Sequence, residues 1–274
     1  MMSLRVNSPI SSSTFSLLLH KPKPIFPLSL ISKPFSPARK FTIKMSSSSS
    51  STQTIEHIVL FKVNEKTEPT KINTMLNRLN NLISLDQVLY LSAGPIFRNK
   101  SASSQYNFTH LLHSRYKSKE DLNGYGVHPD HQSVVKENVL PICDDIMAVD
   151  WVSNLENGSS SLVVKPGSAM KITFLKLKEG FGGTEKGVVL DTIGIKNGVG
   201  KDFIEQISFG ENFSPRAKGF TIGSIAVCQG VEELDKLDLN QQGVEKEKEK
   251  VRDLLDGVIV LDYVVPNSLS TANL

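Results

Sequence analysis

The chain has 274 residues, with 31 Lys and Arg against 28 Asp and Glu and two cysteines; that is long enough for two small domains and too poor in cysteine for a disulfide framework. The net charge of +3 is unevenly placed: residues 1–55 hold seven basic residues and no acidic one, and without them 24 basic side chains face 28 acidic ones, a net of −4. A mildly acidic body excludes the basic footprint of a nucleic-acid binder, and no apolar run reaches the roughly 20 residues that span a bilayer, so neither nucleic acid nor membrane is an expected partner.

Residues 1–54 are basic, rich in Ser and Pro and free of acid, the composition of a transit-peptide-like disordered leader, and they predict import into a plastid. Two features compete with that reading. Met45 precedes the serine run 46–51 and offers a leaderless start, which would leave the protein in the cytosol, and the C-terminal Ala272-Asn273-Leu274 is a distant variant of the peroxisomal tripeptide.

Residues 57–63 form an apolar, β-branched run and predict a buried strand. Apolar residues at 72, 75, 76, 79, 82 and 83 have helical spacing, and two strands follow at 88–94 and 107–116. A helix begins at 117–122, breaks at His128-Pro129 and resumes to about 142, before a last strand at 147–152. The order strand, helix, strand, strand, helix, strand is ferredoxin-like, one antiparallel sheet with helices on a single face.

The same text returns 112 positions later. Val139-Leu-Pro-Ile-Cys-Asp-Asp-Ile-Met-Ala-Val-Asp-Trp-Val152 is matched by Val251-Arg-Asp-Leu-Leu-Asp-Gly-Val-Ile-Val-Leu-Asp-Tyr-Val264. A repeat of this length means two copies of one domain. They are assigned to 55–153 and 168–265, with a linker at 154–167 and a tail at 266–274. In the second copy, 171–177 and 219–227 read as the first and third strands and 232–239 as a helix. Glycines between 182 and 200 point to a divergent first helix, and the charge run 245–250 reads as a solvated face. Each sheet, covered by helices on one side only, needs a partner for its other face, so the fold class is α+β, two tandem ferredoxin-like units closing an intrachain α/β barrel. Pairing of such chains into a homodimer is a further expectation. Cys143 and Cys228 are not equivalent in the two copies and read as reduced core thiols.

The copies differ in chemistry. His57, His110, His113, His128 and His131 all lie in the first, whereas the second has Ile222 opposite His110, Asn240 opposite His128 and Gly243 opposite His131. Imidazoles titrate near neutrality and serve as bases or ligands. A zinc site is not expected, because His128 and His131 are three residues apart and His110 and His113 alternate across a strand.

The segments Tyr106-Asn-Phe-Thr-His110 and Tyr125-Gly-Val-His128-Pro129-Asp130-His131, with the opening His57-Ile-Val-Leu-Phe-Lys62, resemble the stress-responsive dimeric α/β-barrel family of plants and microbes. That family includes a plant polyketide cyclase in which a tyrosine and a histidine of the matching element act as acid and base. The resemblance therefore implies Tyr125 as acid and His131 as base if the protein is an enzyme, with His57, His110 and His128 as ligand-binding residues. It departs from the cyclase in the first helix, where Arg78-Leu79 replaces a pocket tyrosine. The resemblance also implies a magnesium ion on main-chain oxygens of Asn80, Ile83, Ser84 and Asp86, after other plant members. Three functions follow as expectations: small-molecule binding in the first domain without an established reaction, a polyketide-cyclase-like enzyme, or a structural module whose histidines merely satisfy backbone groups.

Overall fold

Alternation in the first strand sets the architecture. In β1 (Gln53–Val63), Ile55, Val59 and Phe61 pack on helices while Ile58 and Leu60 enter a second core on the opposite face, and burial on both sides is why the strand reads as a continuous apolar run. The computed structural model describes residues 53–101, 103–154, 162–193, 201–239, 249 and 251–267. Residues 1–52 of the leader, the start at Met45, the charge run apart from Glu249, and the C-terminal tripeptide lie outside the described residues, and Gln53 and Thr54, placed in the leader by composition, open β1.

The first unit continues through α1 (Pro69–Asn81), β2 (Tyr90–Asn99), β3 (His110–Tyr116), α2 (Lys119–Val127), α3 (Pro129–Val134) and β4 (Cys143–Asn154). The second repeats the order with β5 (Ala169–Leu177), α4 (Gly183–Ile193), β6 (Gln206–Glu211), β7 (Ile222–Cys228), α5 (Val231–Leu239) and β8 (Leu255–Val264). Both units are ferredoxin-like, and their strands form one antiparallel sheet in the order β4-β1-β3-β2-β8-β5-β7-β6. Two seams join the units. β2 pairs with β8 through Ile96, Arg98 and Asn99, while β4 meets β6 at the bridge Trp151–Asn212 and through the Phe213 N–H donating to Asp150 O at 2.8 Å. The eight strands thus make a nearly closed barrel, filled by Leu60, Leu111, Met147, Trp151, Ile172, Phe174, Ile225 and Tyr263 among others.

Two strands differ from their sequence signals. β2 runs past Gly94-Pro95, where Pro95 has no N–H to donate; its far half, with a bulge between Ile96 and Arg98, leaves β3 and serves the other unit. β6 had no recognisable pattern, because Gln206-Ile-Ser-Phe-Gly-Glu211 mixes polar residues and glycine into its buried face. That glycine has a partner. A Cβ on Gly210 would stand 2.8 Å from Val152 O and 2.9 Å from the Trp151 indole, and the corresponding Gly94 lies against Tyr263, so the last strand of each unit places its aromatic ring on a glycine of the other.

The break between α2 and α3 positions the candidate site. Ser118 caps α2 by accepting the Asp121 N–H at 3.1 Å, with Glu120 and Asp121 favourably placed in the first turn. His128, preceding Pro129, is held extended (φ −61°, ψ 133°), so the helix stops and restarts at a new angle. Tyr125 at the end of one helix and His131 in the first turn of the next thereby face the same space.

Candidate functional site

Between the helices and the sheet of the first unit lies a cavity of about 470 Å³. Its floor is Val59, Phe61, Leu112, Ile146 and Ala148, its walls are Leu79, Val135 and Val139, and its polar groups come from His57, Tyr125 and His131. A largely apolar pocket with a few convergent polar groups is the general form of a small-molecule site.

His131 is oriented by the helix break. The Gly126 carbonyl would be satisfied by the Asp130 N–H in a continuous helix, but that N–H donates to His128 Nδ1 at 3.2 Å. Gly126 O accepts instead from Gln132 Nε2 at 2.8 Å and from His131 Nδ1 at 3.1 Å. A carbonyl only accepts, so Nδ1 carries the proton and Nε2 keeps its lone pair. Burial holds this imidazole below the ordinary 6.5, against the opposing pull of the Gly126 bond, and keeps it neutral at pH 7.

Tyr125 is 2 % exposed and its ring lies 4.4 Å from that of His131 between centroids. Its ring also packs against that of Tyr116, 5.3 Å away between centroids, and the Tyr116 hydroxyl lies 3.0 Å from Ser114 Oγ. Burial raises both phenols well above the usual value, so each stays protonated and able to donate. Beside them, His57 Nδ1 is 2.5 Å from Asp150 Oδ1, with both side chains buried; the carboxylate accepts and fixes the ring, as in catalytic and ligand-holding histidines generally. Asp150 is held by its own backbone, whose N–H donates to Asn212 Oδ1 at 2.9 Å.

The remaining candidates are elsewhere. His128 caps α3 and His110 bonds to Thr109 Oγ1 at 2.9 Å, and neither lines the cavity. His113 is fully buried on the barrel side of β3, with Nε2 at 2.6 Å from Glu56 Oε2, while Arg115 Nε lies 3.1 Å from both Glu56 oxygens. Burial alone would raise Glu56, but Arg115 and His113 hold its carboxyl down to about 2. Asn80 pins α1 to β2, donating to Leu76 O and Ala93 O and accepting the Ala93 N–H at 2.9 Å, and Ile83, Ser84 and Asp86 follow in the turn after the helix.

Sequence reasoning missed Asp150, Tyr116 and the segment Pro215, Arg216 and Lys218, which closes the cavity mouth from the second unit. The repeated Asp-aromatic-Val was the available signal for Asp150; nothing marked the loop. The second unit lacks the constellation. By strand register Lys171 stands opposite Asp262 as His57 stands opposite Asp150, while Cys228 and Leu237 occupy the positions 112 residues after Tyr116 and Tyr125 and pack in an apolar cluster.

The family model of the stress responsive A/B barrel domain matches residues 55–153 and 170–265. Two stress-response A/B barrel domain-containing proteins of Arabidopsis thaliana are similar along most of their length. One is 49 % identical over 241 residues, 87 % of this chain and 88 % of the relative. The other is 44 % identical over 216 residues, 78 % of this chain and 98 % of the relative. Among solved structures, an anthrone oxidase-like protein superposes with a TM-score of 0.57 at 10 % identity, over 79 % of this chain and 92 % of that one; a likeness at that identity speaks for the fold alone.

Proposed function

Since the chain belongs to the stress-responsive A/B barrel domain family, with two copies of the domain, we propose that it acts in stress response by binding a small, mostly apolar, carbonyl-bearing molecule in the cavity of its first unit. The observation that carries this is the orientation of His131, whose Nδ1 is occupied by Gly126 O while a neutral Nε2 is left on a ring packed against that of Tyr125 in an apolar pocket. Together they offer one acceptor and one donor, the pair a carbonyl compound with an acidic neighbouring C–H presents in reverse.

The same pair supports the second reading, a polyketide-cyclase-like reaction. His131 would take a proton from carbon and Tyr125 would donate to the developing enolate oxygen, with Tyr116 packed against the Tyr125 ring and His57–Asp150 completing the polar wall. Passing plant metabolite extract over the full chain, and over a His131→Ala, Tyr125→Phe variant, tests the binding reading by mass spectrometry. A compound retained by the first and absent from the second supports it; equal retention by both contradicts it. Conversion of the retained compound by the unmodified chain alone supports the cyclase reading.

A magnesium ion after α1 is a separate proposal. Its support is the donor chemistry of the main-chain oxygens of Asn80, Ile83, Ser84 and Asp86, oxygen being the donor a hard cation takes; Asn80 O also accepts from the Leu82 N–H, as the neighbouring Asn81 O and Leu82 O accept from Ser84 Oγ and the Leu85 N–H. Titration calorimetry with magnesium chloride tests it.

A further inference from the structure

The mouth of the cavity belongs to the other unit. Residues 212–219 leave β6 and are fixed on the first unit before turning back into β7. Asn212 Oδ1 accepts the Asp150 and Ser214 N–H groups, both at 2.9 Å, Asn212 Nδ2 donates to Ser214 O and Phe220 O, and the Ala148 N–H donates to Arg216 O at 3.2 Å. Lys218 and Gly219, at φ 52° and 85°, then turn the chain away. This loop presents two cations to the cavity, and they differ in their partners. Lys218 Nζ is spent on Asp145, at 2.6 and 2.8 Å from its two oxygens. Arg216 lines the cavity, is exposed, and among the described residues makes no ion pair with a carboxylate. Its field reaches both Tyr125 and His131.

We infer that Arg216 is an anion-binding residue at the mouth of the first unit's cavity, and that the ligand is an amphipathic acid with an apolar body buried among Val59, Leu79 and Leu112 and a terminal carboxylate on the guanidinium. This rests on the cavity reading above. A guanidinium offers a planar fork of donors matched to a carboxylate, and here it is anchored by backbone bonds without being neutralised. The apolar interior excludes an anion from the floor, so the acid group must stay at the rim where Arg216 is. The inference also gives the second, histidine-free unit a function in the first unit's site.

The test uses naphthalene-2-carboxylate and its neutral methyl ester as probes, with binding read by titration against the full chain, Arg216→Gln, Arg216→Lys and the His131→Ala, Tyr125→Phe variant. The expected result is that the unmodified chain prefers the acid by on the order of tenfold to a hundredfold, that Arg216→Gln abolishes the preference while ester binding is unchanged, and that Arg216→Lys retains part of it. Equal binding of acid and ester by the unmodified chain and by Arg216→Gln, with both lost in the cavity variant, would overturn the role of Arg216 and leave the cavity reading standing. Failure of both probes to bind the unmodified chain would overturn both.

Discussion

Gly223 faces the indole of Trp151 so closely that a Cβ on it would stand 2.5 Å from ring carbon Cε3 and 2.6 Å from Cζ3. The position 112 residues earlier is Leu111, in the same barrel core. The two halves of the barrel are thus unequal: the first unit contributes the larger ring, and the second gives up a side chain to receive it.

Gly223→Ala should therefore destabilise the protein by about 1–3 kcal/mol, since the rigid indole is buried and has nowhere to go. Urea unfolding of Gly223→Ala, Trp151→Phe and the double variant checks this. The double variant should be less destabilised than the sum of the singles, because the smaller ring relieves the clash; simple additivity would contradict the contact.

The Glu56, His113 and Arg115 cluster should make the fold acid-sensitive. His110, His113 and His131 are held below 6.5 by burial, so below that pH the unfolded chain binds protons that the folded chain does not, and stability falls as pH drops through 6.5. Glu56 adds a second loss, beginning near 4.5 and continuing toward about 2. Melting temperatures from pH 8 to 3 should decline in that order. Glu56→Gln should remove the lower phase and cost about 3–5 kcal/mol at pH 7, as it leaves a buried Arg115 without its counter-charge.

Asp262 is the buried centre of the β2–β8 seam. Arg98 Nε and Lys100 Nζ, from the first unit, each lie 2.7 Å from its Oδ2, and Lys171 Nζ lies 3.7 Å from Oδ1. Asp262→Asn should cost about 1–3 kcal/mol, the cations being partly solvated and so partly compensated. Hydrogen exchange locates the effect: the Lys100 amide, bonded to Val260 O at 2.8 Å, should lose more protection than amides of the β1–β4 ladder.

His131→Ala should leave the melting temperature within a few degrees, since the half-buried ring makes one backbone bond worth about 1 kcal/mol. Ligand retention should nevertheless be lost. In the unmodified chain, retention should also decline below pH 6.5 as Nε2 is protonated on the way to the ring's lowered pKa. Retention unchanged in His131→Ala would place the binding site elsewhere.

Much of this was legible in the residues. Periodicity, the 112-residue repeat and the His128-Pro129 break gave seven of the eight strands described, and the pairing of two sheets followed from each being covered by helices on one face only. β6 escaped because Ser208 and Gly210 face a core where a small residue, not an apolar one, is required. Tyr125 and His131 were identifiable because the break that brings them together is written in adjacent residues.

By itself the sequence determined two ferredoxin-like units, the confinement of histidine chemistry to the first, and the local geometry of α2 and α3, all properties set by spacings within a few residues or by direct repetition. Only the tertiary structure decided which histidines share a cavity, that His113 is committed to a buried ion cluster, that Asp150 orients His57 across 93 residues, and that Arg216 of the second unit stands at the first unit's mouth. Those relationships depend on strand register and on how two units close one barrel. They arise from contacts between segments far apart in the chain, which no local pattern of residues encodes.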